Sequence, residues 1–239
     1  MKYDIVYLCK EGKNNNELTY SIRSVVQNFP YNKIWIYGGC PTNIKPDEHR
    51  HYVQCGITKW ANTNMLLKEA CKNNDITENF WLFNDDFFVM HPVEQELPPL
   101  YDGALADRII EIENRQNYVV TSYTRRLREL LSIIKSFGYG QPILNYAVHM
   151  PMLINRQKAL DVMQMFPETQ MFRGLYGNYY QLGGEMRKDT KYFKLVSHVD
   201  PEIQFISTTD LTFNGGEAGK YIKAQFPEPS KYEVIVKNE

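Results

Sequence analysis

Asn84-Asp85-Asp86 lies inside the run Phe80-Trp81-Leu82-Phe83-Asn84-Asp85-Asp86-Phe87-Phe88-Val89-Met90, where every other residue is apolar. So greasy a run reads as a buried strand. Burying ionised carboxylates costs several kcal/mol unless something pairs with them. A hard divalent cation that also holds substrate phosphates is a natural partner for clustered acidic oxygens at a strand end. The competing reading is an acidic turn between two strands of a hairpin. If a metal binds, alternation across a strand assigns Asp86 as its ligand and Asp85 as the contact to a ribose or sugar hydroxyl.

Histidine is the next residue type to weigh, because only five occur. His149, in Ala147-Val148-His149-Met150-Pro151, sits in an apolar stretch and suits a general base near neutral pH, a metal ligand or a satisfied core histidine. His198, with Asp200 two residues on, is a second candidate ligand. His91, at a turn before Pro92, reads as structural, and His49 and His51 as solvated. Thr124-Arg125-Arg126-Leu127-Arg128 reads as a solvated helix face before a phosphate site. Arg173 and the segment Gly183 to Lys191 form a charged, glycine-hinged unit of the kind that closes over a diphosphate; an ordinary surface loop is the alternative. No phosphate-binding glycine motif, serine nucleophile elbow or zinc spacing is present.

These groups need a frame. Tyr3–Cys9 reads as a strand, Lys10–Asn16 as a polar loop and Glu17–Asn28 as a helix with Leu18, Ile22, Val25 and Phe29 on one face, stopped by Pro30. Lys33–Tyr37 is the next strand, closed by Gly38-Gly39. A strand at Tyr52–Cys55, a helix at Thr63–Lys72 and the strand through Trp81 follow. Helices are expected at Leu105–Arg115, Thr121–Phe137, Arg156–Phe166, Met171–Leu182 and Gly216–Phe226. Strands are expected at Tyr146–Ile154, Phe193–Ser197 and Ile203–Ser207. The alternation predicts an α/β fold, a mostly parallel central sheet with helices on both faces. Ligands of such sheets bind beyond the carboxyl ends of the strands. There the loop from Lys10 to Lys13, Gly38-Gly39 and Asn84-Asp85-Asp86 would meet.

At 239 residues with no repeat or linker, one domain is expected. A net charge of −1 supplies no global pull toward nucleic acid or anionic lipid. Cys9, Cys40, Cys55 and Cys71 read as reduced core thiols of a cytoplasmic protein. No apolar run approaches the length of a membrane span, and the amino terminus, Met1 to Asp4, enters a strand without a signal peptide.

Read in order, the pieces resemble metal-dependent nucleotide-sugar transferases of the GT-A fold, and within them the Stealth family of sugar-phosphate transferases. Four blocks carry the resemblance: Asn15-Asn16-Glu17-Leu18-Thr19-Tyr20-Ser21-Ile22-Arg23-Ser24-Val25, Asn84-Asp85-Asp86-Phe87-Phe88, His149-Met150-Pro151, and Phe226-Pro227-Glu228-Pro229-Ser230-Lys231-Tyr232-Glu233. The resemblance implies a single GT-A-like domain, residues 1–95 forming a nucleotide-binding half and 96–239 an acceptor-binding half. It implies Mn²⁺ or Mg²⁺, a nucleotide-sugar donor (a UDP-sugar foremost), and a glycan or other hydroxyl acceptor. A hydroxyl-bearing nucleic-acid base is conceivable as acceptor but is unsupported by charge. Where the family carries a Thr-Trp-Val-x-Gly run, this chain has Leu8-Cys9-Lys10-Glu11-Gly12, and no Arg-Asp pair precedes Glu17. Glycosyl transfer is therefore preferred over hexose-1-phosphate transfer, with a non-catalytic carbohydrate-binding module as the third reading. On this reading Asp86 and His198 hold the metal. Lys10, Gly12, Arg23, Asn84, Asp85 and Arg187 contact the donor, although Arg23 on an early helix could pair structurally instead. His149 is the acceptor base, with Asp189 and Asp210 as carboxylate alternatives.

Overall fold

The structure, a computed structural model, describes residues 2–12, 14–94, 96–116, 120–140 and 142–234; Met1 and Lys13, both within segments read above, lie outside them. In chain order the elements are β1 (Asp4–Cys9), α1 (Asn16–Asn28), β2 (Ile34–Gly38), β3 (Glu48–Arg50), α2 (Lys59–Lys72), β4 (Asn79–Phe83), β5 (Phe87–Val89), β6 (Leu100–Tyr101), α3 (Leu105–Arg115) and α4 (Ser122–Ser136). They continue with β7 (Met152–Asn155), α5 (Arg156–Met165), α6 (Phe172–Tyr179), β8 (Glu185–Met186), β9 (Phe205–Ser207), α7 (Asp210–Gly215) and α8 (Glu217–Gln225).

The main sheet runs β3-β2-β1-β4-β7, parallel except for β7, which lies antiparallel to β4. Every residue of β1 and β2 is buried, because both faces of the sheet are covered. Ile5, Tyr7 and Cys9 face α1 through Leu18, Ile22 and Val25. Val6 and Leu8 face the opposite core with Leu66, Leu127 and Val162. Each of these fully buried side chains stabilises the fold by about 1.5–3 kcal/mol. The expected architecture, a mostly parallel sheet with helices on both faces, is the one observed.

Several expected elements differ, each for a physical reason. The Phe80–Met90 run is two strands, not one. Asn84 accepts a turn hydrogen bond from Phe87 N at 3.3 Å, and β5 leaves the main sheet to pair with β9. Phe87 then packs under the main sheet, while Phe88 stacks on Phe213 in a third cluster with Ile206 and Ile222. The acidic turn therefore joins two sheets instead of closing a hairpin. The edge strand is Glu48–Arg50, not Tyr52–Cys55. The Tyr146–Ile154 run becomes strand only from Met152, and β7 continues one residue past it to Asn155, since the Asn145 side chain takes the Ala147 N–H at 3.1 Å and Pro151 has none to give. Phe193–Ser197 is irregular, with Phe193 and Leu195 exposed. α2 starts four residues earlier than expected, capped by Thr58. α7 was not expected; a Thr209–Thr212 capping box starts it. Of the cysteines, all free, Cys9 and Cys71 are core thiols but Cys55 is exposed. Among the described residues no helix is long and apolar enough to cross a membrane.

Candidate active site

The parallel register Tyr7↔Phe83 sets the carboxyl ends of β1 and β4 side by side, with the acidic turn just beyond. Asn15 reaches it from the start of α1. Its Oδ1 caps the helix by accepting from Leu18 N at 2.9 Å, and its Nδ2 donates to Asp85 Oδ2 at 2.6 Å. Burial, then the charge of Asp86, push the Asp85 carboxyl up to about 6 against the pull of Asn15. Glu17, in the first turn of α1, accepts from Thr208 Oγ1 at 2.5 Å. Burial and the neighbouring charges of Asp86, Asp85 and Asp210 raise it to about 7 despite that bond. Like charges at close range disfavour joint ionisation, so this corner is electrostatically tense.

Asp86 is unevenly satisfied. Its Oδ2 accepts from Lys191 Nζ at 2.6 Å and Ser207 Oγ at 3.1 Å. Its Oδ1 is buried without a partner. Arg173 donates to the carbonyls of Met150 at 2.6 Å and Leu82 at 3.2 Å, its guanidinium 5.2 Å from the Phe87 ring. Burial lowers Arg173 to about 10, and the charges of Asp86 and Asp189 oppose that drop.

The second group is a His–Asp pair. His149 Nδ1 lies 2.8 Å from Asp189 Oδ2 and 3.1 Å from Oδ1, and the His149 backbone N–H donates to Oδ1 at 3.1 Å. Burial works to raise the Asp189 carboxyl, but the His149 bonds outweigh it and hold it below the ordinary carboxylate range. With Nδ1–H on Asp189, Nε2 is the ring's acceptor. Phe87 and Phe193 meet the imidazole edge-on at 6.3 and 5.9 Å, and Phe193 is 58% exposed. Two residues separately read as base candidates thus form one unit, which abuts the acidic turn through Phe87 and Arg173.

Other expected residues distribute differently. Lys10 and Gly12 are exposed on the loop after β1. That loop rests against Gly39 so closely that a Cβ there would lie 2.4 Å from Lys10 O, which requires glycine. Asn84 is partly exposed at the turn itself. Asp210 is exposed in the first turn of α7 and reaches the acidic corner only through its field on Glu17. Arg187 bonds Glu185 Oε1 at 2.9 Å and Gln204 Oε1 at 2.5 Å. Arg23 takes its structural alternative: it clamps Glu233 and the carbonyls of Phe226 and Pro227, so its guanidinium is committed to those partners. His198 is exposed on an irregular segment, and among the described residues it joins no metal-holding group with Asp86; the strand expected just before it, Phe193–Ser197, does not form. The arginine cluster is structural too: Arg126 lies on Trp60 at 4.3 Å and Arg128 pairs with Glu113 at 2.8 Å. His91 and His49 each bond a backbone carbonyl, at 2.7 and 2.9 Å.

Sequence reasoning missed Asn15, Glu17 and Lys191 as members of this corner. Glu17 lay in view at the helix start, Asn15 in the polar loop before it, and Lys191 at the end of the charged loop. Ser207 and Thr208 carried no signal.

The donor set suits a hard cation in part. It offers carboxylate oxygens only, and the orphaned Oδ1 of Asp86 is an acceptor in want of a partner. Among the described residues no three His, Cys, Asp or Glu side chains are placed to enclose a metal. That fits an ion held by one or two carboxylates and completed by water and phosphate oxygens, as Mg²⁺ and Mn²⁺ commonly are.

No protein-family profile and no curated protein sequence matches the chain. Among solved structures it is similar to the galactosyltransferase LgtC in complex with donor and acceptor sugar analogs, at 11% identity and a TM-score of 0.47, covering 95% of this chain and 98% of that one. It is similar also to the glycosyltransferase GlyE of Streptococcus pneumoniae TIGR4, at 12% identity and a TM-score of 0.38, covering 95% of this chain and 50% of that one. A third is mouse xyloside xylosyltransferase 1, at 8% identity and a TM-score of 0.38, covering 98% and 96%.

Proposed function

We propose that the chain is a glycosyltransferase, a single GT-A-like domain that moves a sugar from a nucleotide-sugar, a UDP-sugar in the first instance, to a hydroxyl acceptor. The observation that carries this reading is the His149–Asp189 pair at 2.8 Å beside the Asp85-Asp86 turn, at the carboxyl edge of parallel strands. Asp86, with Asp85, would hold Mn²⁺ or Mg²⁺ against the donor diphosphate. When bound, that cation supplies positive charge for the leaving nucleotide.

The chain's own residues do the rest. His149 Nε2 accepts the acceptor's hydroxyl proton as that oxygen bonds the anomeric carbon. The bond from that carbon to the diphosphate oxygen breaks, and its electron pair leaves with the nucleotide. Asp189 holds the imidazole in the accepting tautomer and stabilises the imidazolium. Asn84 and Asp85 orient the donor's hydroxyls, and Lys10, Gly12 and Arg187 are its candidate phosphate contacts. Asp210 is the reserve carboxylate. Residues 1–95 serve the donor and 96–239 the acceptor.

One observation favours the Stealth-type alternative, hexose-1-phosphate transfer. The four blocks of that resemblance converge: Asn15 on Asp85, Phe87 on His149, and Arg23 on Phe226, Pro227 and Glu233. Product analysis separates the two, since glycosyl transfer releases the nucleoside diphosphate and phosphate-linked transfer the monophosphate. The test is a panel of nucleotide-sugars with Mn²⁺, read first as thermal stabilisation and then as released nucleotide. Stabilisation and UDP release by a UDP-sugar support the reading. Neither binding nor turnover across the panel overturns it.

A further inference from the structure

We propose that Lys191 is a built-in competitor of the divalent cation at Asp86, so that the corner accepts metal readily only together with a diphosphate. The inference rests on Asp86 being a cation ligand, as read above.

Lys191 Nζ lies 2.6 Å from Asp86 Oδ2, and only 14% of either side chain is exposed. The ammonium already neutralises the carboxylate that a metal would need. Two positive centres cannot share one carboxylate at such range without strong repulsion. One must leave. The backbone around Lys191 is fixed: Tyr192 N donates to Ser207 O at 2.8 Å and Ser207 N to Thr190 O at 3.4 Å. The strap carrying it is fixed further back, where Glu185 N and Arg187 N donate to Pro99 O and Tyr101 O at 2.9 and 2.8 Å. Displacement therefore falls to the side chain alone, a strongly hydrated point charge on a flexible four-carbon stem. Its retreat leaves Oδ2 with the Ser207 hydroxyl alone and Oδ1 with no partner, so the carboxylate's charge is open to the cation.

Metal alone must expel Lys191 with no new anion to receive it. A nucleoside diphosphate arriving with the metal brings oxygens that can take the displaced ammonium. Metal and diphosphate should then strengthen each other's binding, and by linkage the enhancement is reciprocal. The same contact gives the empty corner a counter-ion, which keeps two adjacent carboxylates tolerable between turnovers.

The experiment titrates Mn²⁺ against the full chain, following free Mn²⁺ by electron paramagnetic resonance with and without UDP. Lys191→Met should bind Mn²⁺ alone about tenfold more tightly than wild type, and UDP should improve its metal affinity correspondingly less. Lys191→Gln, which keeps a hydrogen-bond donor and guards against a folding defect in the methionine variant, should move the same way by less. Lys194→Met removes an exposed charge nearby and should change little. Adding Asp86→Asn to Lys191→Met should erase the gain. Equal metal-only affinity in wild type and both Lys191 variants, with Mn²⁺ and UDP still bound, overturns the competition and leaves the site standing. An equal gain in Lys194→Met also overturns it, by reducing the effect to general electrostatics. No Mn²⁺ bound by any variant, with or without UDP, overturns the inference together with the metal reading beneath it.

Discussion

Arg23–Glu233 and Lys191–Asp86 are both cation–carboxylate pairs closed at 2.6 Å, with side-chain exposures of 12% and 9% in the first and 14% and 14% in the second. Distance and burial do not tell them apart. Saturation does. Arg23 sets Nε on Glu233 Oε1 at 2.8 Å and Nη2 on Oε2 at 2.6 Å, and gives Nη1 to Phe226 O and Pro227 O. Glu233 Oε1 accepts Ser230 N at 2.7 Å as well, and Tyr20 lies beneath the guanidinium at 4.5 Å. That planar fork fixes residues 226–233 against α1. The Lys191 pair is a single contact to one oxygen, with the other left orphaned. A saturated pair holds structure together, and an unsaturated one has bonding capacity in reserve for a ligand.

The sharpest way to break this contrast is to remove one member of each pair. Asp86→Ala should lower donor turnover by at least about 10³-fold. Its stability cost should be only about 1 kcal/mol, because Lys191 can swing into water and two neighbouring carboxylates, Asp85 and Glu17, lose a like charge. Arg23→Ala should do the reverse. It strands a buried carboxylate and two carbonyls at a cost of about 3–5 kcal/mol, with turnover per folded molecule within about threefold of wild type. Urea unfolding and single-turnover assays on both variants decide it. Comparable unfolding costs would mean that saturation does not separate the two pairs, and a normal rate in Asp86→Ala would remove the acidic turn from the chemistry.

The same contrast explains what was legible in the sequence. Periodicity and apolar runs gave β1, α1, β2 and the parallel order, because strands buried on both faces leave a nearly continuous signal. The acidic turn stood out for its setting. Yet Asp4 is also a carboxylate inside an apolar strand, and it is fully satisfied by Trp35 Nε1 at 2.9 Å, Asn32 Nδ2 at 2.8 Å and Thr77 N at 3.1 Å. Composition cannot separate Asp4 from Asp86, since the separation depends on which donors the fold delivers. The same holds for Arg23, whose partners lie more than 200 residues downstream. His149 and Asp189 were each legible as chemistry, but their pairing follows from the strap between α6 and β9 and was not. The strand expected just before His198 does not form, because Phe193 and Leu195, which imitate its apolar alternation, are exposed on an irregular segment.

A smaller effect sharpens the comparison at the His–Asp unit, which resembles neither pair fully. Asp189→Asn keeps the shape but can no longer carry a charge against the imidazolium, and it should slow transfer about 10²-fold with donor KM little changed. Asp189→Glu should recover part of that loss; a merely structural aspartate would show no such rescue. Equal rates in wild type and Asp189→Asn would leave His149 a satisfied core histidine with a carboxylate neighbour.

The smallest expected effect concerns Glu17, whose single bond to Thr208 and raised carboxyl place it with the unsaturated group. An unfolded glutamate ionises near 4.5, whereas Glu17 in the fold does so at about 7. Between those values the folded chain binds the extra proton, so this residue's stabilisation is complete below pH 4.5 and is lost as pH rises through about 7. Without metal, the melting temperature should therefore fall between pH 5 and pH 8, and Glu17→Gln should flatten that fall. At pH 8 the variant should melt higher by roughly 2–4 °C, the equivalent of about 1 kcal/mol in a chain this long. At pH 5 the two should coincide. If Glu17→Gln melts lower at pH 8, the Thr208 bond outweighs the crowding of charge, and Glu17 belongs with Arg23 among the residues that hold the fold.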